Sequence, residues 1–258
     1  MRILCTNDDG IHAEGLAIVE KIARRFTDDV WVIAPEQEQS GASRALTLTA
    51  PIRVRNVGDK RFAVAGTPTD CVLLGVHELM TDAKPDLVLS GVNRGSNIAE
   101  DVTFSGTIAG AMQGMQLGVK AIALSQARMR ATSEAPWFMA ETYGPAIVGK
   151  LVEAAWPDGV LMNVNFPDRD PGGEYEVEVT TQGFRDQQVI YFDKRTDLRG
   201  QAYYWLGYRG IRSTAHEGTD LKAIYEGRIS VTPLHVDLTH RAAMHDLKAR
   251  LGGAAPLF

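Results

Sequence analysis

The stretch ILCTNDDG, residues 3–10, decides how this chain is interpreted. Four residues that suit a buried strand are followed, after one asparagine, by two adjacent carboxylates, Asp8 and Asp9, and then by Gly10. Two neighbouring negative charges repel each other, and burying either of them is costly without a compensating partner. A capped helix start, a pair of basic side chains or a bound cation would provide that partner. The glycine lets the backbone turn sharply at the same place.

Composition limits the class of protein. The 258 residues are 45% hydrophobic and 23% charged, which suffices for one large α/β domain with a full core. The formal net charge is −5 and no run of Lys or Arg stands out, so binding to a nucleic-acid duplex has little support. No apolar run approaches the ~20 residues of a membrane helix, and the N-terminus does not resemble a signal peptide. We therefore expect a cytoplasmic protein without a membrane partner.

Apolar segments typical of buried strands alternate with segments of helical periodicity in the first two thirds of the chain. Strands are predicted at 3–6, 30–34, 52–55, 61–65, 86–90, 121–125 and 160–165. Helices are predicted at 14–26, from a cap at Thr67 or Thr69 onward, at 105–117 and at 136–155. Buried strands separated by helices are typical of a parallel sheet. The predicted fold class is α/β, a doubly wound, mainly parallel sheet with helices on both faces.

The pattern changes after about residue 167, where the apolar strands give way to polar, alternating segments. Residues 175–181 alternate charged and apolar residues, as an antiparallel strand would, and residues 183–215 are interpreted as a protruding β-hairpin arm. A late strand at 228–233 and an amphipathic helix at 239–251 follow. We therefore predict a core of residues 1–170 and an extension of residues 171–258 whose C-terminal helix packs on that core, all within one structural domain.

The arm has an unusual density of aromatic residues, namely Tyr203, Tyr204, Trp205 and Tyr208. Exposed aromatic side chains favour contacts with another subunit. The alternative is that these side chains cover the protein's own core, and the sequence gives the two hypotheses equal weight.

Four polar clusters follow predicted strands or precede a predicted helix, at residues 7–10, 39–41, 90–95 and 105–107. In a doubly wound sheet, ligands bind beyond the carboxyl ends of the strands, so these clusters are expected at one rim. Two carboxylates with a hydroxyl and an amide carbonyl form an all-oxygen donor set. Such a set suits Mg²⁺, Mn²⁺ or Ca²⁺, whereas zinc prefers His or Cys. A cation would also neutralise the repulsion between Asp8 and Asp9.

Each cluster alone has an ordinary structural explanation. The Asp-Asp-Gly stretch is more often a turn or a helix cap, Ser40 and Asn93 are common loop residues, and residues 105–107 either cap a helix or hold an anion. Neither the G-x-G-x-x-G fingerprint nor the phosphate-binding loop of nucleoside triphosphatases is present. The haloacid-dehalogenase type of aspartyl phosphatase fits less well, because its two strand-one acids are separated by one residue.

Five motifs together resemble the SurE family of survival-protein nucleotidases. They are TNDDGIHAEGL at 6–16, APEQEQSGAS at 34–43, GTPTDCV at 66–72, SGVNRGSN at 90–97 and SGT at 105–107. Beyond residue 170 the resemblance is general. It implies a Rossmann-like core with an extended arm, and a homodimer or homotetramer formed through that arm and the C-terminal segment.

The resemblance also implies an activity, a divalent-metal-dependent hydrolysis of nucleoside monophosphates to nucleoside and inorganic phosphate, with short polyphosphate as a further substrate. It implies one divalent cation per subunit, Mg²⁺ or Mn²⁺ first and Ca²⁺ or Co²⁺ as alternatives. The implied metal ligands are Asp8, Asp9, Ser40 and Asn93. The implied phosphate-binding residues are Ser105, Gly106 and Thr107, together with Asn93.

Asp8 and Asn93 are the candidate catalytic residues of that hypothesis. Asp8 would orient or deprotonate a water while Asp9 stays a ligand, although the two roles can be exchanged without conflict with the sequence. Two alternatives stay open, a metal-dependent nucleotide-binding regulator without turnover and a group-transfer enzyme on the same core.

Overall fold

The computed structural model describes residues 1–128, 137–170, 173–186, 190–209 and 211–252. Parts of three predictions therefore lie outside the described residues. They are the helix start at residue 136, residues 171–172 and 253–258 of the extension, and residues 187–189 and 210 of the arm. In the described ranges no helix is both long and apolar enough to cross a membrane.

Eleven strands are found in the described chain. They are β1 (Ile3–Thr6), β2 (Val30–Pro35), β3 (Val54–Gly58), β4 (Arg61–Val64), β5 (Leu87–Arg94), β6 (Lys120–Gln126), β7 (Leu161–Phe166), β8 (Val177–Val179), β9 (Ile190–Thr196), β10 (Ala202–Tyr208) and β11 (Ile229–Leu234). The α-helices in the same ranges are α1 (Glu14–Ala23), α2 (Pro68–Leu74), α3 (Gly106–Gln116), α4 (Phe138–Glu153), α5 (Asp220–Glu226) and α6 (Arg241–Leu251).

One sheet contains nine of these strands, in the order β3-β4-β2-β1-β5-β6-β7-β11-β8. The strands from β4 to β7 in this order are mutually parallel. Among the described strands of this sheet, antiparallel pairing occurs only where β3 meets β4 and where β11 meets β7. This arrangement confirms the predicted doubly wound, mainly parallel sheet.

Helices cover both faces of the sheet, and the alternation of side chains along each strand explains why. In β1, Ile3 and Cys5 are fully buried in the cluster that includes side chains of α1 and α4. Leu4 points to the opposite face and is fully buried with side chains of α2 and α3. Burying a side chain of this size contributes about 1.5–3 kcal/mol. A strand buried on both faces is apolar throughout, which is why the sequence predicted it correctly.

Helix α2 begins at the residue that the sequence favours. The Thr67 hydroxyl accepts a hydrogen bond from the backbone N–H of Asp70, and the Asp70 carboxylate accepts one from the backbone N–H of Thr67. This reciprocal capping box, with Pro68 at the first helical position, satisfies two donors that the helix leaves free. Of the two predicted caps, Thr67 and not Thr69 is the one used.

The extension contributes strands to the central sheet, with one difference from the prediction. Strand β8 pairs with β11 in parallel, although both run opposite to β7. The prediction of an antiparallel partner for residues 175–181 was therefore wrong. Alternation of polar and apolar residues indicates that one face of a strand is exposed, as it is at this edge of the sheet. It does not indicate whether the neighbouring strand is parallel or antiparallel.

Helix α6 differs from the prediction that it packs on the core, since none of its residues is buried in the described structure. Two of its apolar side chains, Leu247 and Leu251, are more than half exposed. An amphipathic pattern shows that a helix has an apolar side but does not identify what covers that side.

The predicted hairpin arm is present as β9 and β10, which form their own two-stranded antiparallel sheet. Tyr203, Tyr204, Trp205 and Tyr208 are 41–63% exposed. The hypothesis that they cover the protein's own core is therefore wrong. Side chains of this size left in solvent favour the other hypothesis, contact with another subunit, which stays a prediction.

Candidate active site

Polar side chains from four segments line one cleft of about 410 Å³ at the carboxyl ends of β1 and β5. The four predicted metal ligands, Asp8, Asp9, Ser40 and Asn93, all contribute to its lining, and so does Ser105. Because the strands are parallel and adjacent, their carboxyl ends meet at the same rim of the sheet. The structure therefore brings together residues that are far apart in sequence, as predicted.

Asp8 lies over the N-terminus of α3. Its side chain is buried, and Oδ1 accepts a hydrogen bond from the Thr107 hydroxyl at 2.5 Å. The backbone N–H of Thr107 also interacts with this carboxylate. A Cβ atom added at Gly106 would lie 2.6 Å from the Cβ of Asp8, so only glycine permits the approach. The Asp8 carboxylate thus lies at the N-terminus of α3, where the free N–H groups and the helix dipole favour negative charge.

Residues 105–107, which the sequence predicts either to bind the phosphate or to cap α3, make contacts within the protein. The Ser105 hydroxyl caps α3 by accepting from the backbone N–H of Ile108 at 3.1 Å. The Thr107 hydroxyl is fully buried and donates a hydrogen bond to Oδ1 of Asp8. Of the three residues, Ser105 lines the cleft, whereas Gly106 and Thr107 support Asp8 from below.

The adjacent carboxyls of Asp8 and Asp9 both have raised pKa values. Burial raises the pKa of Asp8, against the hydrogen bond from Thr107 and with a smaller contribution from Glu38. Burial and the charge of Asp8 raise the pKa of Asp9 to about 6, against a hydrogen bond from the backbone N–H of Arg94. The repulsion that the sequence predicted is thus present in the fold, and it favours a cation at this place.

The loop that carries Ser40 also carries a carboxylate, Glu38, that was not among the predicted site residues. The Ser40 hydroxyl donates to Oε1 of Glu38 at 2.8 Å, and both residues line the cleft. The backbone N–H of Gln39 donates to the carbonyl of Asp8 at 2.8 Å, which ties this loop to the end of β1. The acid lies only two residues before Ser40 on the same loop, and this proximity was the available signal.

Asn93 sits where β5 departs from regular geometry. The pairing of β5 with β6 shifts register between Ser90 and Asn93. Gly91 has φ +132°, and a Cβ atom there would lie 2.1 Å from the carbonyl oxygen of Leu124, so no other residue fits. The Asn93 amide nitrogen donates to the Gly95 carbonyl at 2.9 Å. The amide oxygen is then the side-chain atom that suits a cation.

A buried amide cluster supports the loop that follows Asn93. Asn165 accepts from the backbone N–H of Asn97 at 2.8 Å, and Asn163 donates to the Asn97 carbonyl at 2.8 Å. The Asn97 side chain donates to the Ser125 hydroxyl at 2.9 Å. Asn163 and Asn165 were not among the predicted site residues, although two asparagines in an otherwise apolar buried strand were a signal.

The cleft carries an excess of negative charge. The charged side chains that line its described part are four carboxylates and one guanidinium, from Asp8, Asp9, Glu38, Asp101 and Arg94. One of the carboxylates, that of Asp101, is paired with Arg185 at 2.6 Å. Within the described ranges no three His, Cys, Asp or Glu side chains converge on one point. A cation here would therefore need hydroxyl and amide oxygens beside the carboxylates.

A doubly wound sheet with an acidic, oxygen-lined cleft at the carboxyl ends of its strands defines a Rossmann-like α/β protein with a site suited to a hard cation. The family described as Survival protein SurE matches residues 3–189, and the chain therefore belongs to the SurE family. This confirms the resemblance seen in the five motifs.

Individual relatives agree with that assignment. The chain is 60% identical to a protein named 5'-nucleotidase SurE from Phenylobacterium zucineum, over 99% of each chain. It is 61% identical to one of the same name from Caulobacter vibrioides (strain NA1000 / CB15N), over 99% of this chain and 98% of the other. The crystal structure of the SurE protein from Aquifex aeolicus is similar with a TM-score of 0.82, at 35% identity, and covers 97% of this chain and 99% of that one.

Proposed function

We propose that this protein is a phosphomonoesterase, a nucleotidase that hydrolyses nucleoside monophosphates to nucleoside and inorganic phosphate in the presence of a divalent cation. The full-length relatives named 5'-nucleotidase support the reaction class. Hydrolysis of short polyphosphate is a secondary activity of the same site in this proposal.

The observation that carries metal dependence is the charge of the cleft. Asp8, Asp9 and Glu38 line a cleft in which Arg94 is the single cationic side chain among the described lining residues. A phosphate monoester is itself an anion, and like charges at short range repel strongly in a partly buried site. Binding of such a substrate requires added positive charge.

The donor set fits a hard divalent cation. We assign the ligands as the carboxylates of Asp8 and Asp9, the Ser40 hydroxyl and the Asn93 amide oxygen, an all-oxygen set that suits Mg²⁺ or Mn²⁺, with Ca²⁺ or Co²⁺ as alternatives. When bound, such a cation polarises a phosphoryl oxygen and lowers the pKa of a water.

The chain's own residues divide the remaining tasks. Asp8, held by Thr107, is the candidate to orient the attacking water and to accept its proton, and Asp9 remains a ligand. Asn93 and Ser105 line the space beside Asp8 and are the candidates to contact the phosphate. Gly106 and Thr107 contribute to phosphate binding through the position of Asp8 and of the first turn of α3.

Assembly is part of the proposal. The exposed aromatic side chains of the arm support a homodimer or homotetramer in which the arm contacts another subunit. The exposed apolar side of α6 supports a contribution from the C-terminal segment.

Phosphate release from AMP tests the proposed reaction. We expect release with added Mn²⁺ or Mg²⁺, none after thorough chelation, and recovery when the cation is restored. AMP binding without release would instead identify a nucleotide-binding regulator. A phosphorylated acceptor in place of free phosphate would identify group transfer, and product analysis detects it.

A further inference from the structure

Two aromatic side chains line the same cleft as the carboxylates, and the proposed chemistry uses neither. Phe104 is 51% exposed and Tyr208 is 63% exposed. Among the described residues that line the cleft, these two are the only aromatic ones. Phe104 comes from the chain just before α3, and Tyr208 is the last residue of β10 in the arm. Two unrelated segments thus present rings to one space.

We infer that Phe104 and Tyr208 form the nucleobase subsite of this cleft, and that they bind the base by stacking. The inference rests on the proposed function, since it assumes that the cleft binds a nucleotide. A phosphate held beside Asp8, Asn93 and Ser105 leaves the rest of the nucleotide to extend along the cleft. Phe104 is adjacent to Ser105 in the chain, so its ring lies next to the phosphate end of the site.

Phe104 is held in place by the turn before it. Its backbone N–H donates to the Asp101 carbonyl at 2.9 Å, at the end of a short 3-10 turn, Ala99–Thr103. The carboxylates of Glu100 and Asp101 pair with Arg185 at 3.1 and 2.6 Å, and the Arg185 side chain is only 11% exposed. A ring on a fixed backbone loses little freedom when a ligand covers it.

The same ion pairs connect the two sides of the subsite. Arg185 lies in the segment that leads into the arm, and the arm carries Tyr208 at the end of its second strand. The buried Asp220 carboxylate adds a second link, because it accepts from the backbone N–H of Ala99 at 2.9 Å and of Gly183 at 2.7 Å. These contacts connect the base of the arm to the turn that bears Phe104. The rings of Phe104 and Tyr208 therefore face the cleft from two connected segments.

Stacking predicts tolerance of different bases. Every nucleobase has a π-face, whereas selection among bases needs free hydrogen-bonding groups at the base edge. We therefore expect purine monophosphates to bind better than pyrimidine monophosphates by no more than about tenfold, through larger stacking area.

The test compares AMP with ribose 5-phosphate, which keeps the phosphate and the sugar and lacks the base. Dissociation constants are measured by calorimetry with Mn²⁺ present, and kcat and KM by phosphate release. Wild-type protein should bind AMP at least about fivefold more tightly than ribose 5-phosphate, because stacking one base contributes about a factor of five or more. Phe104→Ala and Tyr208→Ala should each reduce that ratio towards one, mainly through Kd and KM.

Three further variants separate stacking from other roles. Phe104→Tyr and Tyr208→Phe keep a ring and should restore the ratio. Phe192→Ala removes another exposed aromatic side chain from the arm, one that does not line the cleft, and should keep the wild-type ratio. Thermal melts and sedimentation on the same samples report folding and assembly.

The inference is overturned if both ligands weaken equally in the alanine variants, since that would identify a role in folding or assembly. It is also overturned if wild-type protein binds AMP no more tightly than ribose 5-phosphate. Absence of phosphate release from either compound would remove the proposed function alone, because the binding ratio would still decide whether a base subsite exists.

Discussion

The hydroxyl of Thr107 donates a hydrogen bond of 2.5 Å to Oδ1 of Asp8, from the first turn of α3 to the loop after β1. The two residues are 99 positions apart in the chain. Their contact places a carboxylate at the end of a helix where free N–H groups and the helix dipole favour negative charge. A residue predicted to touch the phosphate thus contacts the carboxylate that we assign to the cation and the water.

This contact can be tested with Thr107→Val, which keeps the shape of the side chain and removes the donor. Hydrogen bonds to charged groups contribute about 1.5–3 kcal/mol, so we expect a comparable loss of stability. Because Asp8 would be less firmly held, we also expect kcat to fall about tenfold or more and cation affinity to fall with it. Thermal melts, cation titration and kinetics on AMP are the measurements.

Thr142→Val is the matched control, since Thr142 is an exposed residue of α4. It should leave all three quantities near wild type. A Thr107→Val protein with a lowered kcat but unchanged cation affinity would indicate that Thr107 contacts the phosphate directly, against the geometry described above.

Asp9→Asn tests the assignment of the cation ligands. An amide is a poorer ligand for a hard dication than a carboxylate, so cation affinity should fall at least about tenfold while the fold is kept. Isothermal titration with Mn²⁺ gives the affinity and circular dichroism reports the fold. Asp28→Asn, which changes an exposed carboxylate outside the cleft, should bind the cation as wild type does. Full activity in thoroughly chelated wild-type protein would refute the metal hypothesis.

Gly106→Ala tests the close approach of α3 to Asp8. The added Cβ would lie 2.6 Å from the Cβ of Asp8, so Asp8 or the helix must shift, and we expect kcat on AMP to fall more than about tenfold. Gly149→Ala is the matched control in α4. The nearest atom to the added Cβ would be a ring carbon of Phe26 at 3.4 Å, which is an ordinary van der Waals contact. It should be neutral or stabilise by up to about 1 kcal/mol, because alanine favours a helix interior. Equal kinetics in the two variants would contradict the proposed role of Gly106.

The arm can be tested for assembly by Trp205→Lys combined with Tyr204→Lys. A lysine at each of these two exposed positions should lower the mass of the assembly measured by analytical ultracentrifugation, because charged side chains disfavour an apolar contact. Leu48→Lys, at a position 84% exposed and outside the arm, is the control. Wild-type protein that sediments as a monomer at micromolar concentration would rule out the proposed assembly.

Asp29 gives a prediction of stability against pH. Hydrogen bonds from Lys60 at 2.7 Å and Arg2 at 2.8 Å lower the pKa of this carboxyl to about 2. The pKa in the unfolded chain is about 3.9, so the interaction contributes stability above that pH and the contribution is lost as pH falls through about 2. The free energy of unfolding of wild type should therefore exceed that of Asp29→Asn at pH 7, and the difference should shrink between pH 4 and pH 2.

Denaturant titrations at several pH values measure that difference, and Asp28→Asn is the control because it changes the neighbouring exposed carboxyl. A difference between wild type and Asp29→Asn that stays constant from pH 7 to pH 2 would show that the ion pairs do not carry the effect.

Local patterns in the sequence predicted the order of elements and the position of the cleft. Residues 3–6 are apolar because β1 is buried on both faces, and this burial is visible without knowing the neighbours of the strand. Once a parallel sheet is predicted, the carboxyl ends of its strands must share one rim. For this reason Asp8, Asp9, Ser40 and Asn93 could be placed together from the sequence alone.

Contacts between elements were decided by the tertiary structure. The partner of the Thr107 hydroxyl, the parallel pairing of β8 with β11 and the exposed state of α6 all depend on how separate segments pack. The periodicity of a sequence indicates which face of a helix or strand is buried. It does not indicate which residue of another element packs against that face. The sequence by itself determined the class of fold and the candidate ligands of the cation, and only packing determined that the end of α3 holds Asp8 and that Phe104 and Tyr208 share its cleft.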